Sequence, residues 1–445
     1  VRAAISDIAR AVETAMPDTS HPAGNGPDRR TFLCCLVGGM AAGGTVLRRA
    51  QAAEDRTLQA LIEQNQRRDL GQEFDAASRT IHMPKASLPT LSPLTVGTTE
   101  QAIGKYQSIV VQGGWPKVPP TDRLRLGNRH PSVVPLRKRL IIAGDLEANA
   151  GATDIFDSYV EAAVRRFQAR HGITVDGIVR KATFERLNVP ADVRLTQLTI
   201  NVTRLKAATA HLSERYVMVN IPAAQVEAVE NGVVNSRHIA VVGRPSRPSP
   251  DVNSKIIEIN FNPFWTVPVS IVRRDLIPLM HKDPNYLASE HIRIFDMHHH
   301  ELKASQIDWY SKDAMSYVFK QDPGSFNSLG TLRINFPSPN GVYMHDTPEK
   351  NLFGDDMRFD SSGCVRVQNV RQLVDWLLRD TPNWSPDQIN AAIRSGDRID
   401  AKLKKPVPVF WVYITAWATP DGVVQFRDDI YNRDGLGQYA TTVKG

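Results

Sequence analysis

A cysteine and a histidine carry the chemistry legible in this chain. Cys364 stands in Ser361-Ser362-Gly363-Cys364-Val365-Arg366-Val367, and His345 lies nineteen positions before it in Val342-Tyr343-Met344-His345-Asp346-Thr347-Pro348. A free cysteine has a pKa of about 8.5, so at neutral pH the thiol needs a base or a cationic neighbour before it attacks a carbonyl. Imidazole is the side chain matched to that work. Gly363 puts the thiol on a turn and, lacking a Cβ, lets the backbone approach a substrate. N–H groups at such a turn can form an oxyanion hole, typically worth about 3 to 4 kcal/mol per donor. Arg366 can grip a carboxylate through two parallel hydrogen bonds or serve as a structural ion pair. The plainer readings stand beside these. A lone cysteine is often a small buried apolar residue, and a strand-end histidine can be a satisfied core residue.

The cysteine count depends on the first fifty residues. Asp28-Arg29-Arg30-Thr31-Phe32-Leu33 opens an apolar, Gly-rich stretch through Cys34 and Cys35 to Val46, followed by Ala50-Gln51-Ala52. A charged start, a short apolar core and an A-x-A site are the parts of a secretory signal. The paired arginines before Phe-Leu resemble the twin-arginine type. A buried helix is the rival, but the four glycines between 38 and 44 each cost about 1 kcal/mol relative to Ala in a helix. Arg48 and Arg49 keep an uncleaved anchor open. With 1–52 read as a signal peptide, Cys34 and Cys35 leave, and the exported, periplasmic chain keeps Cys364 alone. A thiol without a disulfide partner in an oxidising compartment is a candidate nucleophile.

These residues need elements to hold them. The chain has 445 residues, 42% hydrophobic and 23% charged, an ordinary composition for a multidomain globular protein. Lys+Arg 54 against Asp+Glu 47 gives +7, which favours an acidic partner such as nucleic acid, anionic lipid or a carboxylate-rich polymer. No RRM, KH or zinc-finger signature and no basic run with aromatics appears, so nucleic acid is not expected. No apolar run approaches the roughly 20 residues of a membrane span, so no integral membrane domain is expected. Residues 53–130 read as helical scaffold and linker, with helices over 54–76 and from Glu100 to Val111 and linker chemistry from 84 to 98. Val133, Leu136, Leu140 and then Val160, Val164, Phe167 recur at helical spacing within a compact module, 131–190, closed by His171-Gly172. Residues 191–213 read as linker or scaffold.

From Tyr216 the period becomes two, predicting strands at 216–221, 238–242, 255–260, 332–336, 341–344 and 407–418. Val370, Leu373, Val374, Leu377 and Leu378 predict an amphipathic helix on that sheet. The polar, irregular stretch 281–330 reads as a lid insertion in a catalytic domain spanning 214–419, with a C-terminal hairpin and tail at 420–445. His298-His299-His300 points in different directions without a fourth ligand, so no metal is expected there and the run reads as a solvated lid face. Trp309 and Tyr310 are either lid packing or substrate-facing.

Two stretches resemble known families. Ala163-Val164-Arg165-Arg166-Phe167-Gln168, Gly172, Val175-Asp176-Gly177 and Thr183 resemble a peptidoglycan-binding domain, with Arg180 where that motif has its second glycine. His345 followed by Ser-x-Gly-Cys-x-Arg resembles the YkuD-type L,D-transpeptidase motif. Val217 to Pro222, Val242-Gly243-Arg244-Pro245, Asn262 to Pro268 and Phe426 to Tyr431 resemble its large YcbB-like branch. Ser362 stands where many members have a second His. The resemblance implies an α+β multidomain protein, a β-rich catalytic domain with a lid plus a small helical peptidoglycan-binding domain, and neither metal nor cofactor. It implies that Cys364 attacks a tetrapeptide stem, releases D-Ala and passes the acyl group to a diaminopimelate amine, giving a 3→3 cross-link, with His345 as base and acid. It implies Tyr343 at the oxyanion site, Arg366 or Ser361 at the donor carboxylate and Trp265 in the groove. An amine on an outer-membrane protein is a further conceivable acceptor. A wall hydrolase and a non-catalytic wall-binding protein are the rival classes; against one hydrolase type, NlpC/P60, stands the order of His before Cys.

Overall fold

The computed structural model describes residues 88–439. The leader, the helix expected at 54–76 and the last residues of the tail lie outside the described residues. Helix α1, Pro93–Val111, begins inside the stretch expected to be linker. Pro93 sits at the first helical positions, where its missing N–H is not needed, and Ser92 caps the Thr95 N–H at 3.0 Å. The proline therefore marks a start.

Helices α2 (Val133–Ala143), α3 (Ser158–Arg170) and α4 (Lys181–Leu187) share one apolar core that includes Leu136, Leu140, Val164, Phe167 and Phe184. Asp157 caps α3 through the Val160 N–H at 3.0 Å, and Gly172, at φ +64°, turns the chain away. The supposed linker after this module is a nineteen-residue helix, α5, Ala191–Thr209, packed on α1. Its buried face is Arg194, Gln197, Leu198, Asn201, Val202 and Leu205. The spacing is helical but half of the face is polar, which hid it from a hydrophobic reading.

The β-rich domain opens with β1 (Arg215–Asn220), β2 (Gln225–Glu230), β3 (Val233–Gly243) and β4 (Val252–Phe261). An insertion carries β5 (Trp265–Thr266), β6 (Ile292–Phe295), β7 (Glu301–Leu302) and β8 (Val318–Gln321). Then come β9 (Leu332–Asn335), β10 (Met344–His345), β11 (Phe359–Ser361), β12 (Val365–Val367) and β13 (Ile399–Val412). In the main sheet the order is β11-β3-β12-β10-β9-β4-β13-β1-β2, and β2 also pairs with β3. The sheet thus closes on itself as a barrel, with β11 outside the ring. Inward residues such as Val219, Ile259, Ile334, Met344, Val365 and Val409 fill it together with the apolar face of α6, Val370–Leu378. Helix α7, Pro386–Ser395, adds Ile389 to the same core.

Three expectations are corrected. The stretch 281–330 is not irregular: the insertion begins at Trp265, forms the sheet β5-β8-β6-β7 and has its own core of Val267, Leu276, Met280, Ile294 and Phe319. The strand expected over 407–418 starts at Ile399 and stops at Val412, and Ala416–Ala418 is a separate strand, β14, paired with β15, Val424–Phe426. Asn201 takes the Thr415 N–H at 2.8 Å and Arg427 donates its N–H to the Thr415 carbonyl at 2.7 Å, which withdraws that backbone from the ladder. The strand at 341–344 shrinks to Met344–His345.

Candidate active site

Alternation on the barrel sorts the key residues. Met344 and Val365 are register partners with fully buried side chains, so Tyr343, His345, Cys364 and Arg366 take the outer face. His345 is in register with Arg366 on β12 and with Arg333 on β9. One step back on the same two strands lie Tyr343 and Cys364, joined by the Val365 N–H to the Tyr343 carbonyl at 3.1 Å. The imidazole is therefore the diagonal neighbour of the half-buried thiol.

The imidazole is tightly held. Its Nδ1 lies 2.5 Å from the Asp346 carbonyl oxygen, so Nδ1 carries the proton and Nε2 is left with the lone pair. The Asp346 carboxylate meets Lys350 and accepts from the Thr331 N–H and hydroxyl, both at 3.2 Å. Gly330, at φ +58°, makes this possible, since a Cβ there would stand 2.5 Å from Asp346 Oδ2. Burial first, then the guanidinium groups of Arg366 and Arg333, push His345 down to about 3.

Burial likewise pushes the Cys364 thiol up to about 11, against the opposing contacts of the Tyr343 backbone and phenol and the fields of Arg333 and Arg366. At neutral pH the pair is a thiol beside a neutral imidazole. Tyr343 ties the site together. Its phenol accepts from Trp265 Nε1 at 3.2 Å, the Arg333 guanidinium lies 4.3 Å from its ring, and its edge meets the His345 ring at 5.7 Å. Burial and the nearby sulfur raise its phenol pKa.

The turn before Cys364 departs from expectation. Gly363 adopts φ +114°, yet an added Cβ would meet nothing closer than 3.5 Å; the glycine is required by backbone angle rather than by close approach. Its N–H goes to Ser361 Oγ at 3.1 Å, so it braces the turn and is not an open oxyanion donor. Ser361 is buried, and its hydroxyl donates to the Cys364 carbonyl at 2.5 Å; it shapes the turn and does not face a donor carboxylate. Ser362 is exposed and accepts from Arg247 at 3.0 Å. Arg366 pairs with Glu349.

Several contributors were not foreseen. Arg333 was findable, because Leu332 and Ile334 face inward and leave Arg333 and Asn335 outward on the neighbouring strand. Arg247 grips Asp275 of the insertion through two bonds of 2.5 and 2.7 Å while touching Ser362. Ser249 donates to the Gly363 carbonyl at 2.8 Å, and the Tyr431 hydroxyl reaches the Gly243 carbonyl at 2.5 Å. Tyr431 lies in a stretch singled out from the sequence, but no local pattern marks Arg247 and Ser249, which arrive from a distant loop. In the insertion, His298, His299 and His300 are exposed, Trp309 packs on the apolar core and Tyr310 is exposed against His281. No cluster of three metal-ligating side chains occurs among the described residues.

Comparison with known proteins locates two families. Residues 214–399 match the YkuD family, the L,D-transpeptidase catalytic domain, and 129–187 match a family named for peptidoglycan binding. A Haemophilus influenzae protein named for L,D-transpeptidase activity is 33% identical over 239 residues, covering 54% of this chain and 48% of the relative. The chain thus spans about half that relative's length. The N-acetylmuramoyl-L-alanine amidase CwlM of Mycobacterium tuberculosis is 36% identical over 87 residues, 18% of this chain and 21% of its own. A solved L,D-transpeptidase from Stackebrandtia nassauensis is 15% identical, covering 66% of this chain and 97% of its own, and its TM-score of 0.25 gives the likeness no weight.

Proposed function

Residues 214–399 of this chain are a YkuD-type L,D-transpeptidase catalytic domain and residues 129–187 a peptidoglycan-binding-type domain, and from that premise we propose that the protein is a cysteine acyl-transferase that forms 3→3 peptidoglycan cross-links. The observation that supports the reading is the register of Met344–His345 on Val365–Val367, which sets His345 diagonally across from the position of Cys364 inside the matched domain.

The sulfur of Cys364 adds to the stem-peptide carbonyl while its proton passes to His345 Nε2. The same proton then goes to the departing D-Ala amine as the C–N bond breaks, leaving a thioester. An acceptor amine, the diaminopimelate side chain of a second stem, adds to that carbonyl and gives a proton to Nε2. The C–S bond breaks and the sulfur recovers the proton. The diagonal placement of ring and thiol suits this sequence, since such contacts are commonly long in empty sites and tighten with substrate. Tyr343, fixed by Trp265 and Arg333, stands at the thiol for the developing oxyanion, and Arg366 turns from Glu349 to a donor carboxylate. The substrate lies outside the cytoplasm, so the reading includes export to the periplasm by the leader in 1–52. Among the described residues no helix is long and apolar enough to cross a membrane.

Muropeptide analysis of sacculi incubated with the protein tests this. New 3→3 dimers support transpeptidation, shortened monomers alone support a hydrolase, and no change supports a wall-binding scaffold. Cys364→Ala must abolish product, and full activity in that variant would dismiss the nucleophile. Wall-linked peptides of outer-membrane proteins in digests would extend the acceptors to protein amines.

A further inference from the structure

The proposed reaction makes no use of a cavity of about 670 Å³ between the helical module, α5 and the C-terminal segment. Its wall holds Trp115 and the cations Lys117, Arg186 and Arg194 together with the carboxylates Glu185, Asp428 and Asp429. Arg186 and Arg194 are 7% and 5% exposed, and the Nε of each has no hydrogen-bond partner. Behind them Arg139, 1% exposed, lies 3.6 Å from the Trp115 ring centre, with its Nη1 also unpartnered.

The nearby carboxylates are already taken. Asp145 receives Arg170 through two bonds of 2.7 Å, Asp428 and, at 3.4 Å, the exposed Glu185 pair with Arg186, and Asp429 accepts the Tyr413 hydroxyl at 2.6 Å. The direct partner of Arg194 is the neutral Gln197 amide at 2.8 Å. Burial first and then the Arg170 guanidinium bring Arg139 to about 9, and burial first, against the opposing field of Asp428 and with Arg170 and Arg186 adding to it, brings Arg194 to about 10. Burying the Arg139 and Arg194 guanidinium groups with no carboxylate in direct contact is unfavourable, and an anion in the cavity would relieve it. Arg186 and Asp428 also wall a second cavity of about 310 Å³ that reaches Phe359 on β11, the strand leading to the Cys364 turn.

We propose that the cavity walled by Arg186, Arg194 and Trp115 is a binding site for a carboxylate of the peptidoglycan polymer, holding a wall strand at the junction of the helical module and the barrel. Only the choice of polymer rests on the transferase reading.

The test uses the full chain carrying Cys364→Ala, titrated with a disaccharide-tetrapeptide, with the same fragment after amidation of its carboxylates, and with inorganic phosphate. The carboxylate fragment should raise the melting temperature and the amidated one should not. Arg194→Met should bind the fragment about tenfold or more weakly, the weight of one charge-assisted hydrogen bond. Lys117→Gln, at an exposed position, should also weaken binding and cannot do so by unfolding the core. Undiminished binding in both variants, equal binding of the amidated fragment, or a response to phosphate alone would overturn the proposal. With Cys364 intact, Arg194→Met should cross-link short soluble peptides at the parental rate and sacculi more slowly. A parent inactive on both substrates would dismiss the transferase reading and leave the binding result standing.

Discussion

At the scale of single residues, the resting site is neutral. Burial, then Arg366 and Arg333, hold His345 down to about 3, and burial pushes the Cys364 thiol up to about 11. A preformed thiolate–imidazolium pair is thereby disfavoured, and proton transfer must accompany attack. Alkylation of Cys364 by iodoacetamide should therefore accelerate steadily as pH rises through roughly 6 to 9, following the small thiolate fraction. A rate already level from about pH 5 upward would indicate an ion pair and contradict this electrostatic account. Cys364 and His345 could be singled out as candidates because the glycine-bearing turn and the strand-end histidine are local patterns. Ser361 was misread because a serine's sequence position does not say whether its hydroxyl faces a groove or closes a turn.

At the scale of elements, the insertion is latched to the Cys364 turn. Arg247 holds Asp275 in the insertion and Ser362, two residues before Cys364. The pair is partly exposed, so its stability contribution is of order 1 kcal/mol or less. Asp275→Asn should leave the melting temperature nearly unchanged while lowering kcat/KM about threefold to tenfold through loss of positioning. Unchanged kcat/KM would show that the latch has no part in turnover. Period-two alternation made the central strands readable, and Val370–Leu378 was plain from its apolar stripe. Helix α5 was not, because Gln197 and Asn201 reach across to Thr415 from what would otherwise be an apolar face. Residues 281–330 were misjudged because β6, β7 and β8 are too short to show a period.

At the scale of the whole molecule, the order of helical module and β-rich domain could be read from motifs, whereas closure of the barrel could not. Pairing β1 with β13 and β12 with β3 joins segments far apart in the chain. The fold also buries His171, His238 and His345 in neutral form. Burial is the first cause in each, placing His238 at about 4, His345 at about 3 and His171 well below its usual value. Unfolded histidine titrates near 6.5, so the unfolded chain binds protons that the folded chain refuses. Their stability contribution is complete above about pH 6.5 and is lost as pH falls toward the folded values. Calorimetry should show the melting temperature falling from pH 7 to 5, before most carboxylates titrate, with uptake of about three protons on unfolding near pH 5. A flat profile over that window would mean that these histidines are charged or exposed. The central claim is that Cys364 becomes acylated, and intact-mass spectrometry with a tetrapeptide donor measures it directly. The account predicts one adduct equal to the donor less D-Ala, located on Cys364 and absent from Cys364→Ser and His345→Gln under the same brief exposure. A protein mass unchanged by donor, while product still accumulates, would contradict it.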